Sequence, residues 1–509
     1  MADKKKYDSE FCGSLPLHNI NMIQDYGYLI VLDHRELSII QMSENVQDLF
    51  GRPVQELVNS SLSEYIEKKD LDRIFTILQK GITEKIPLTL NLKIEAQIHP
   101  YHVLMHVKQD YVILELQKTQ PDRTRSFTEV YQEIKHISLA LEAATSVQEV
   151  CAIAVHEIRA ISGLDGVLMY KFDKDWNGTV IAEEKDERLE SYLGQSFPAS
   201  DVPKQARALY LKNPYRLIPN RDYLQSKLYP VINPLSHAFI DLSDCNLRSV
   251  PAVHLEYMKN MGIKASMSIR VIKDHELWGL ISCHHISTMY LDYEICAVFE
   301  WLSSLISSRI SAILNKENYD MATLLQEKRL KLIDEVYAQN DIIQGLLHKP
   351  DLNILELFNA RGAMVVLNNR IEVIGEVPEK DDLDNLLFWL EGKNVDTIFS
   401  TDHLSGLFDD AAAYTATGSG ILVIPINTAE GEYIVCFRPE VVETINWGGD
   451  PNQAINFEKD NKTYHPRNSF KLWQQVVVHH ALPWEQTVLD VAENLRNFLF
   501  EFRTKQGHN

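Results

Sequence analysis

The chain has 509 residues, more than one hydrophobic core usually supports, and this length predicts about three domains. Its composition, 45% hydrophobic and 24% charged, is that of a globular protein, and its formal net charge of −21 argues against nucleic acid or an anionic membrane as the main partner. No uninterrupted apolar run reaches the roughly 18 residues of a membrane span, so no membrane partner is expected.

The N-terminus and the cysteines indicate a cytoplasmic protein. The opening sequence, MADKKKYDSE, has a basic cluster with no apolar stretch behind it, unlike a secretory signal. The cysteines are scattered without C-x-x-C spacing, which favours free thiols in a reducing compartment over a disulfide framework. The six are Cys12, Cys151, Cys245, Cys283, Cys296 and Cys436.

Residues 25–117 predict an α+β module of the sensor type. Residues 26–33 and 37–43 read as strands about a turn at 34–36, and two strand-like segments after a helical stretch close a sheet. The charged residues 118–125 form a linker. Beyond the linker, apolar residues recur at helical spacing and predict an amphipathic helix. They are Phe127, Val130, Ile134, Ile137 and Leu141.

Residues 167–183 predict a β-hairpin, because two alternating strands flank the turn pair Asn177-Gly178. Soon after, the sequence PASDVP at 198–203 places Asp201 between two prolines. Each proline fixes its own φ angle and favours extended geometry in the residue before it, so we expect the Asp201 carboxylate on a stiff loop. An ordinary aspartate turn between two elements is the alternative.

Residues 292–347 predict one long helix. Apolar residues form a stripe from Val298 to Ile313, and the stripe resumes after a polar patch at 315–320. At a rise of 1.5 Å per residue the helix would span roughly 80 Å, longer than one domain needs. We therefore expect it to connect two domains and to pair with a copy of itself. Pro350 ends the pattern.

A second sheet-rich unit begins near residue 360 with a hairpin that turns at Asn368-Asn369. Two short motifs follow, WGGDP at 447–451 and PRNSF at 466–470. Residues 485–503 then place apolar side chains on one face and predict the last helix. No Walker-type phosphate-binding glycine loop occurs in the sequence.

Three separated sets of these motifs, in this order, resemble the phytochromes. CGSLPLHNINMIQDYGYL at 12–29 is similar to the opening of a bacterial phytochrome, and most of 165–285 resembles the chromophore-binding GAF domain. WGGDP and PRNSF resemble the tongue hairpin of the PHY domain. The resemblance implies an α+β multidomain fold, in which PAS, GAF and GAF-like PHY domains, each an antiparallel sheet flanked by helices, are joined by a long connecting helix.

The resemblance also implies domain boundaries and a knot. The N-terminal segment with the PAS domain would occupy residues 1–120, the GAF domain 121–315, and the PHY domain 316–509 with its tongue at about 440–480. A figure-of-eight knot, with Ile23 near its centre, would join the PAS and GAF domains.

The family binds a linear tetrapyrrole, or bilin, and the residue types at the matching positions suit such a ligand. Aromatic side chains would line ring D, Arg216 and Arg248 would hold a propionate, His254 would stack near the pyrrole nitrogens, and His284 would reach the ring D carbonyl. The matched set is Tyr170, Phe197, Asp201, Tyr210, Arg216, Arg248, His254, Tyr257, Ser266, Ser268 and His284. For any single aromatic residue of this set, ordinary core packing is the alternative.

Attachment of the bilin is expected at Cys12. Plant and cyanobacterial members carry the attachment cysteine just before the matched histidine, and that position is Val253 in this chain. Bacterial members that bind biliverdin carry it in the N-terminal segment, where Cys12 matches. Cys283 falls at neither position. The resemblance therefore implies biliverdin IXα, held by a thioether to Cys12.

The implied function is red and far-red light reception. Light would isomerise the double bond between rings C and D, so that ring D rotates, and the tongue would refold from strand towards helix. Arg467 would pair with Asp201 in the dark state, and Trp447 and Ser469 of the tongue motifs would take part in signalling. The signal would pass to an output domain or response regulator outside this chain, from a homodimer formed through the GAF and connecting helices.

Three other functions are open from the sequence. A GAF/PAS sensor that has lost photochemistry would bind another small molecule. An enzyme is a second class, since such modules often precede kinases or cyclases, but no catalytic domain is expected here. A dimerisation scaffold would explain the long helix, but not the set formed by Asp201, His254 and His284.

Overall fold

The computed structural model describes residues 20–82, 85–95, 97–118, 127–349, 352–453, 455–457, 464–467 and 469–507. The chain divides into a first unit, Met1–Ile313 with Asn446–Trp473, and a second unit, Leu314–Ile445 with Gln474–Asn509. The expected attachment residue, Cys12, lies outside the described residues. The domain boundaries after residues 120 and 315 stay predictions.

The N-terminal sheet of the first unit has seven described strands. In spatial order they are Met22–Ile23, Ser226–Tyr229, Ile39–Ser43, Tyr28–Asp33, Tyr111–Lys118, Gln97–Val107 and Lys85–Ile94. The predicted strand pair about residues 34–36 is confirmed, because Asp33 Oδ1 accepts hydrogen bonds of 2.8 Å from the backbone N–H groups of Arg35 and Glu36 and closes the turn. Helical segments Val46–Phe50, Val54–Leu57, Leu62–Glu64 and Lys68–Gln79 contribute to the same core.

Two short strands at the edge of this sheet come from distant parts of the chain. Met22–Ile23 pairs with Ser226–Tyr229, which pairs in turn with Ile39–Ser43. The N–H of Gln24 donates to the carbonyl of Leu247 at 2.8 Å. Residues 20–24 thus run between two segments from much later in the chain, as the predicted knot requires. Residues 1–19, which precede them, lie outside the described part of the chain.

The central sheet carries the hairpin predicted at 167–183. Its strands, in spatial order, are Tyr215–Ile218, Ala265–Lys273, Glu276–His285, Gly166–Phe172, Gly178–Lys185 and Ser196–Phe197, after which Trp447 of Glu443–Gly448 pairs in parallel with Ser196. The turn prediction at Asn177-Gly178 was wrong in detail. The turn occupies residues 173–177, where Asp173 Oδ1 accepts from the N–H of Asn177 at 2.8 Å, and Gly178 begins the second strand.

Helices and a short hairpin complete the described part of the first unit. The helices are Phe127–Ala143, as the sequence predicts, Val147–Ser162, Lys204–Lys212 and Ala252–Asn260, and the hairpin pairs Ile455–Phe457 with Tyr464–Pro466. Pro203 and Pro251 occupy the N-caps of the third and fourth of these helices, with φ angles of −64° and −57°. A proline costs nothing there because no intrahelical N–H bond is due at that end.

The long helix is shorter than predicted. It runs over Tyr293–Gln339, and at 1.5 Å per residue its 47 residues span roughly 70 Å. Asn340 has a φ angle of 50° and interrupts the helix, and the side chain of Asp341 then caps the separate helix Ile342–Leu347. The prediction of one helix over 292–347 was wrong because apolar periodicity continues across this break.

By length and composition alone, Tyr293–Gln339 is also apolar enough to cross a membrane, which the search for uninterrupted apolar runs missed. Its apolar residues Phe299, Leu302, Ile306 and Ile310 are buried. Ser303 Oγ of this helix donates to the Arg270 carbonyl of the central sheet at 2.7 Å. The helix therefore has the contacts of a core helix over its first half.

Within the residues that the structure describes, the second unit contains a five-stranded antiparallel sheet. Its strands, in spatial order, are Arg370–Gly375, Gly362–Leu367, Glu432–Arg438, Gly420–Asn427 and Phe399–Thr401. The predicted turn at Asn368-Asn369 is confirmed, with φ angles of 51° and 58° that asparagine tolerates. The other described elements of this unit include Ile354–Phe358, Lys380–Lys393, Leu404–Gly406, Asp409–Tyr414, Thr415–Gly418, Thr428–Glu430 and the last helix, Gln486–Gly507. Pro451–Gln453 belongs to the first unit, and Leu472–Val477 has residues in both.

Two helical glycines give a matched test of packing in the second unit. A methyl group on Gly345 would lie 2.6 Å from the Cα of Val336, whereas one on Gly392 would have no neighbour within 4 Å. Gly345→Ala should therefore lower the free energy of unfolding by about 1–3 kcal/mol. Gly392→Ala should leave it unchanged or raise it by up to about 1 kcal/mol, because alanine favours the helix. Denaturant unfolding followed by circular dichroism checks both, and equal effects would contradict this packing.

Candidate functional site

A cavity of about 250 Å³ lies between the central sheet and the helices Lys204–Lys212 and Ala252–Asn260. Apolar and aromatic side chains form most of its wall, and a few polar groups converge on it. It brings together every described residue of the predicted ligand set, namely Tyr170, Phe197, Asp201, Tyr210, Arg216, Arg248, His254, Tyr257, Ser266, Ser268 and His284.

The sheet contributes a row of polar side chains by simple alternation. Ser266 and Ser268 lie two residues apart on Ala265–Lys273, and their partners across the strand pair are His284 and Ser282. All four line the cavity, because residues i and i+2 of a strand share a face. Cys283 points to the other face, where it is fully buried and burial raises the pKa of its thiol. The cavity thus contains the predicted His284 and also Ser282, which was not predicted.

Both cavity histidines are held in the neutral form at pH 7. Burial, and then the charge of Arg216, lower the pKa of His254 to about 4. Burial, and then the charge that His254 would carry, lower the pKa of His284 to about 4. Ser282 Oγ lies 3.3 Å from His284 Nε2, so the imidazole has a fixed hydrogen-bond partner at one ring nitrogen. Neutral imidazoles can both donate and accept a hydrogen bond, which suits a polar ligand edge.

Two arginines, the buried Arg248 and the half-buried Arg216, make one side of the cavity cationic. Arg216 donates to the carbonyl of Ser249 at 3.1 Å and to that of Arg248, so it braces the segment that carries the second arginine. Burial, and then the neighbouring charge of Arg216, lower the pKa of Arg248 to about 9. Two guanidinium groups in an apolar cavity are stabilised by an anionic ligand, and carboxylates match their geometry.

The aromatic wall packs closely around the strand that begins at Gly178. A Cβ atom on Gly178 would come within 1.7 Å of the ring of Tyr170, so only glycine leaves room for that ring. The ring centroids of Tyr170 and Phe197 lie 6.0 Å apart, and those of Tyr192 and Phe197 lie 5.7 Å apart. Tyr192 lines the cavity but was not predicted, since no motif surrounds it.

Asp201 is the centre of a buried polar contact beside the cavity. Its Oδ1 accepts from Arg467 at 2.5 Å, and its Oδ2 accepts from the hydroxyl of Tyr257 at 2.9 Å. The Asp201 and Arg467 side chains are only 7% and 3% exposed. Burial raises the pKa of Asp201, while Arg467 and Tyr257 oppose that shift. The predicted contact between Asp201 and Arg467 is therefore present in this conformation.

The motif WGGDP fits around the same arginine. Arg467 also donates to the carbonyl of Gly448 at 2.6 Å. A Cβ atom on Gly448 would lie 2.5 Å from the ring of Phe197, and one on Gly449, where φ is 101°, would lie 2.4 Å from the carbonyl of Ser469. Both glycines are thus required by close approach. The other two residues predicted for signalling differ in burial, since Trp447 is buried and Ser469 is exposed.

No cysteine lies among the described residues that line the cavity, and Val253 lines it at the alternative attachment position. The two cavity residues that were not predicted, Ser282 and Tyr192, differ in whether the sequence could have indicated them. Ser282 lies two residues before His284 and could have been found from strand alternation. Tyr192 lies in an irregular segment, and only its tertiary contacts bring it to the cavity.

Comparisons with known proteins identify the family. Three family profiles match successive parts of the chain: the PAS fold at residues 12–119, the GAF domain at 146–310 and the phytochrome region at 325–507. The chain is 38% identical over 493 residues to cyanobacterial phytochrome B of Nostoc sp., covering 96% of this chain and 65% of that protein. It is 32% identical over 491 residues to a bacteriophytochrome of Pseudomonas aeruginosa, covering 96% of this chain and 66% of that protein.

Solved structures agree with this result. The Stigmatella aurantiaca phytochrome photosensory core module has a TM-score of 0.84 at 32% identity, with 97% of this chain and 98% of that chain covered. A bacteriophytochrome from the photosynthetic bacterium R. palustris has a TM-score of 0.86 at 32% identity, with 98% and 99% covered. The chain belongs to the phytochrome family and has the PAS-GAF-PHY fold of its photosensory core. It spans about two thirds of the length of the Nostoc and Pseudomonas relatives.

The neutral histidines predict a pH dependence of stability in the chain without bilin. Since His284 titrates near 4 in the folded protein and near 6.5 when unfolded, the unfolded chain takes up a proton first as the pH falls. Stability is thus fully present above pH 6.5 and is lost towards pH 4, by about 3 kcal/mol for this group. His284→Gln should flatten that loss in denaturant unfolding of the first unit.

His136→Gln, which changes an exposed histidine, is the control and should keep the slope of the unmodified chain. An unchanged pH slope in His284→Gln would contradict a neutral, buried His284.

Proposed function

We propose that this chain is the photosensory module of a red and far-red light receptor that binds biliverdin. The observation that carries the proposal is the buried contact of Asp201 with Arg467 beside a cavity of the right chemistry. It joins a cavity loop to residues 446–473 of the first unit, which lie within the tongue predicted at about 440–480. The ion pair between Asp201 and Arg467 therefore connects the cavity to the segment that we propose changes conformation.

The residues around the cavity suit a bilin. An extended π system needs apolar and aromatic walls, which Tyr170, Phe197 and Tyr210 supply. Its two propionates need cations or hydroxyl groups, and the guanidinium groups of Arg216 and Arg248, which line the cavity, are of the required type. When bound, the bilin supplies light absorption and the Z/E isomerisation between rings C and D.

The chain's own residues orient the ligand and hold its environment. In this proposal the neutral imidazoles of His254 and His284 accept or donate hydrogen bonds at the polar edge of the ligand. Ser266 and Ser268 supply hydroxyl groups, and Tyr210 is hydrogen-bonded to Ser268. These groups sit on strands and helices of one unit, which keeps their geometry fixed.

Covalent attachment is proposed at Cys12. Support comes from the cavity, where Val253 stands at the alternative attachment position and no lining residue among those described is a cysteine. The described cysteines are buried, and burial raises the pKa of Cys151 and Cys296 to about 12, so these thiols react poorly.

The proposed signal passes through residues 446–473. In the light-adapted state, we propose, the contact of Arg467 with Asp201 breaks and the segment changes from strand towards helix. Breaking the contact releases Arg467 from Asp201 and from the Gly448 carbonyl together. One side chain thus contacts both the cavity loop and the strand that ends at Gly448.

The partners are part of the proposal. Exposed apolar side chains on Tyr293–Gln339, including Trp301, Tyr319 and Leu324, support a homodimer through the helices. Free cysteines support a cytoplasmic location. An output domain or response regulator would receive the signal, and the module itself would act without catalysis.

Cys12→Ser tests the attachment. After incubation with biliverdin, this variant should still bind pigment, because the cavity is intact, but should release it on denaturation. Acid-denatured samples on a gel, inspected for zinc-induced bilin fluorescence, measure covalent pigment. Cys151→Ser, which alters a buried thiol away from the cavity, should retain it. Covalent colour in the Cys12 variant would overturn the attachment.

Asp201→Ala tests the mechanism. Removing one partner of a buried ion pair leaves the other uncompensated, at a cost on the order of 3–5 kcal/mol. We expect normal pigment uptake but impaired photoconversion, and loss of the light-dependent amide change of the tongue in infrared difference spectra.

Asp186→Asn, which removes one partner of the exposed contact with Arg188, is the control and should convert normally. Normal conversion of Asp201→Ala to the second state would refute the role of Asp201. Failure of both the unmodified chain and the variant to bind biliverdin would refute the cavity assignment instead.

A further inference from the structure

A second cluster of potential ligands lies away from the bilin cavity, under the loop that precedes Arg248. His106 comes from the strand Gln97–Val107, Glu115 from Tyr111–Lys118, and Cys245 from a loop some 130 residues later. Their relative exposures are 3%, 3% and 1%. One nitrogen, one oxygen and one sulfur atom of these side chains all lie within 4.8 Å of one another. None of the three residues lines the bilin cavity.

The scaffold holds these donors in place. His106 Nε2 lies 2.6 Å from Glu115 Oε1, and Glu115 Oε2 accepts from the backbone N–H of Leu247 at 2.6 Å. The N–H of Cys245 donates to the carbonyl of Leu242 at 3.0 Å, which fixes the backbone behind the thiol. Neighbouring strands therefore present the imidazole and the carboxylate, and a hydrogen-bonded turn presents the thiol within 4.8 Å of both.

We propose that His106, Glu115 and Cys245 form a binding site for a divalent transition-metal ion, with zinc as the best match. Nitrogen, carboxylate oxygen and sulfur are the donors that zinc takes in proteins, at about 2.0–2.3 Å. Tetrahedral donors at such distances lie roughly 3.5 Å apart, so His106 and Glu115 need to separate by about 1 Å. Calcium and magnesium prefer oxygen-only shells, which this cluster lacks.

The charges balance when the metal binds. The Cys245 S–H bond breaks, its proton passes to solvent, and a metal–sulfur bond forms, so that one thiolate and one carboxylate neutralise the divalent ion. The imidazole ligates as the neutral base, and water completes a four-coordinate shell. Burial, and then the negative charge of Glu115, raise the pKa of the Cys245 thiol well above its usual range, and the nearby charges of Lys85 and Lys108 oppose that shift only in part. They also weaken the attraction for a metal ion, and Lys108 is itself paired with Asp244.

The site has a structural consequence for the bilin cavity. Glu115 holds the N–H of Leu247, and the next residue is Arg248. A metal ion that fixes Glu115 and Cys245 would clamp both sides of the turn that precedes this cavity residue. Because all three ligands are buried, we expect the ion to enter while the chain folds rather than by exchange into the finished protein.

The test measures zinc in the full chain produced in zinc-supplemented medium without bilin, because free bilins themselves chelate zinc. After gel filtration in the presence of a chelator, elemental analysis should find about one zinc ion per chain. Cys245→Ala should reduce the retained zinc at least about tenfold, since even the loss of an outer partner costs that much. Cys151→Ala, which removes another fully buried thiol of the same unit, should retain it.

X-ray absorption at the zinc edge of the unmodified chain provides a readout that does not depend on any variant folding. We expect one sulfur neighbour at about 2.3 Å and nitrogen or oxygen neighbours at about 2.0 Å. A shell without sulfur, zinc retained equally by Cys245→Ala, or no zinc in the unmodified chain would each overturn the proposal. Because these measurements use the chain without bilin, each of these results would leave the proposal of bilin binding standing, and the two proposals fail independently.

Discussion

The buried ion pair between Asp201 and Arg467 is the contact on which the rest of the first unit's functional architecture depends. Removing two charges from water is expensive, and each partner is tolerated in the interior only while the other is present. The stiff loop at 198–203 and the segment around PRNSF therefore constrain each other. The close approach of Gly448 to Phe197 and of Gly449 to Ser469 follows from the same constraint, since both glycines surround the arginine.

The cavity next to this pair combines features that a protein core ordinarily avoids. Arg216 and Arg248 bring like charges together inside an apolar wall, and the two histidines that line the same cavity, His254 and His284, are held neutral beside them. Such an arrangement is costly without a ligand, because Arg248 is buried beside the like charge of Arg216. An anionic, conjugated ligand with a polar edge relieves the cost. The chemistry of the cavity thus supports the proposed binding of a bilin.

Local features were predictable from the sequence, whereas distant contacts were not. The turn at Asn368-Asn369 follows from the φ angles that asparagine accepts. Strand alternation explains why Ser266 and Ser268 share a face, but these serines and His284 were predicted as site residues only from the family resemblance. The break at Asn340 was missed because apolar periodicity does not register a single left-handed residue. The contact of Asp201 with Arg467 spans 266 residues, and only the family resemblance predicted it. Likewise, no sequence pattern signals that Glu115 holds Leu247, because that contact arises from the meeting of separate elements.

The absorption spectrum of the chain mixed with biliverdin, recorded in darkness, after red light and after far-red light, tests the central claim most directly. A cavity coupled to the Asp201–Arg467 contact predicts a bound pigment that exchanges reversibly between a red-absorbing and a far-red-absorbing band. Bound pigment without exchange would contradict the switch, and no bound pigment would contradict the assignment of the cavity itself.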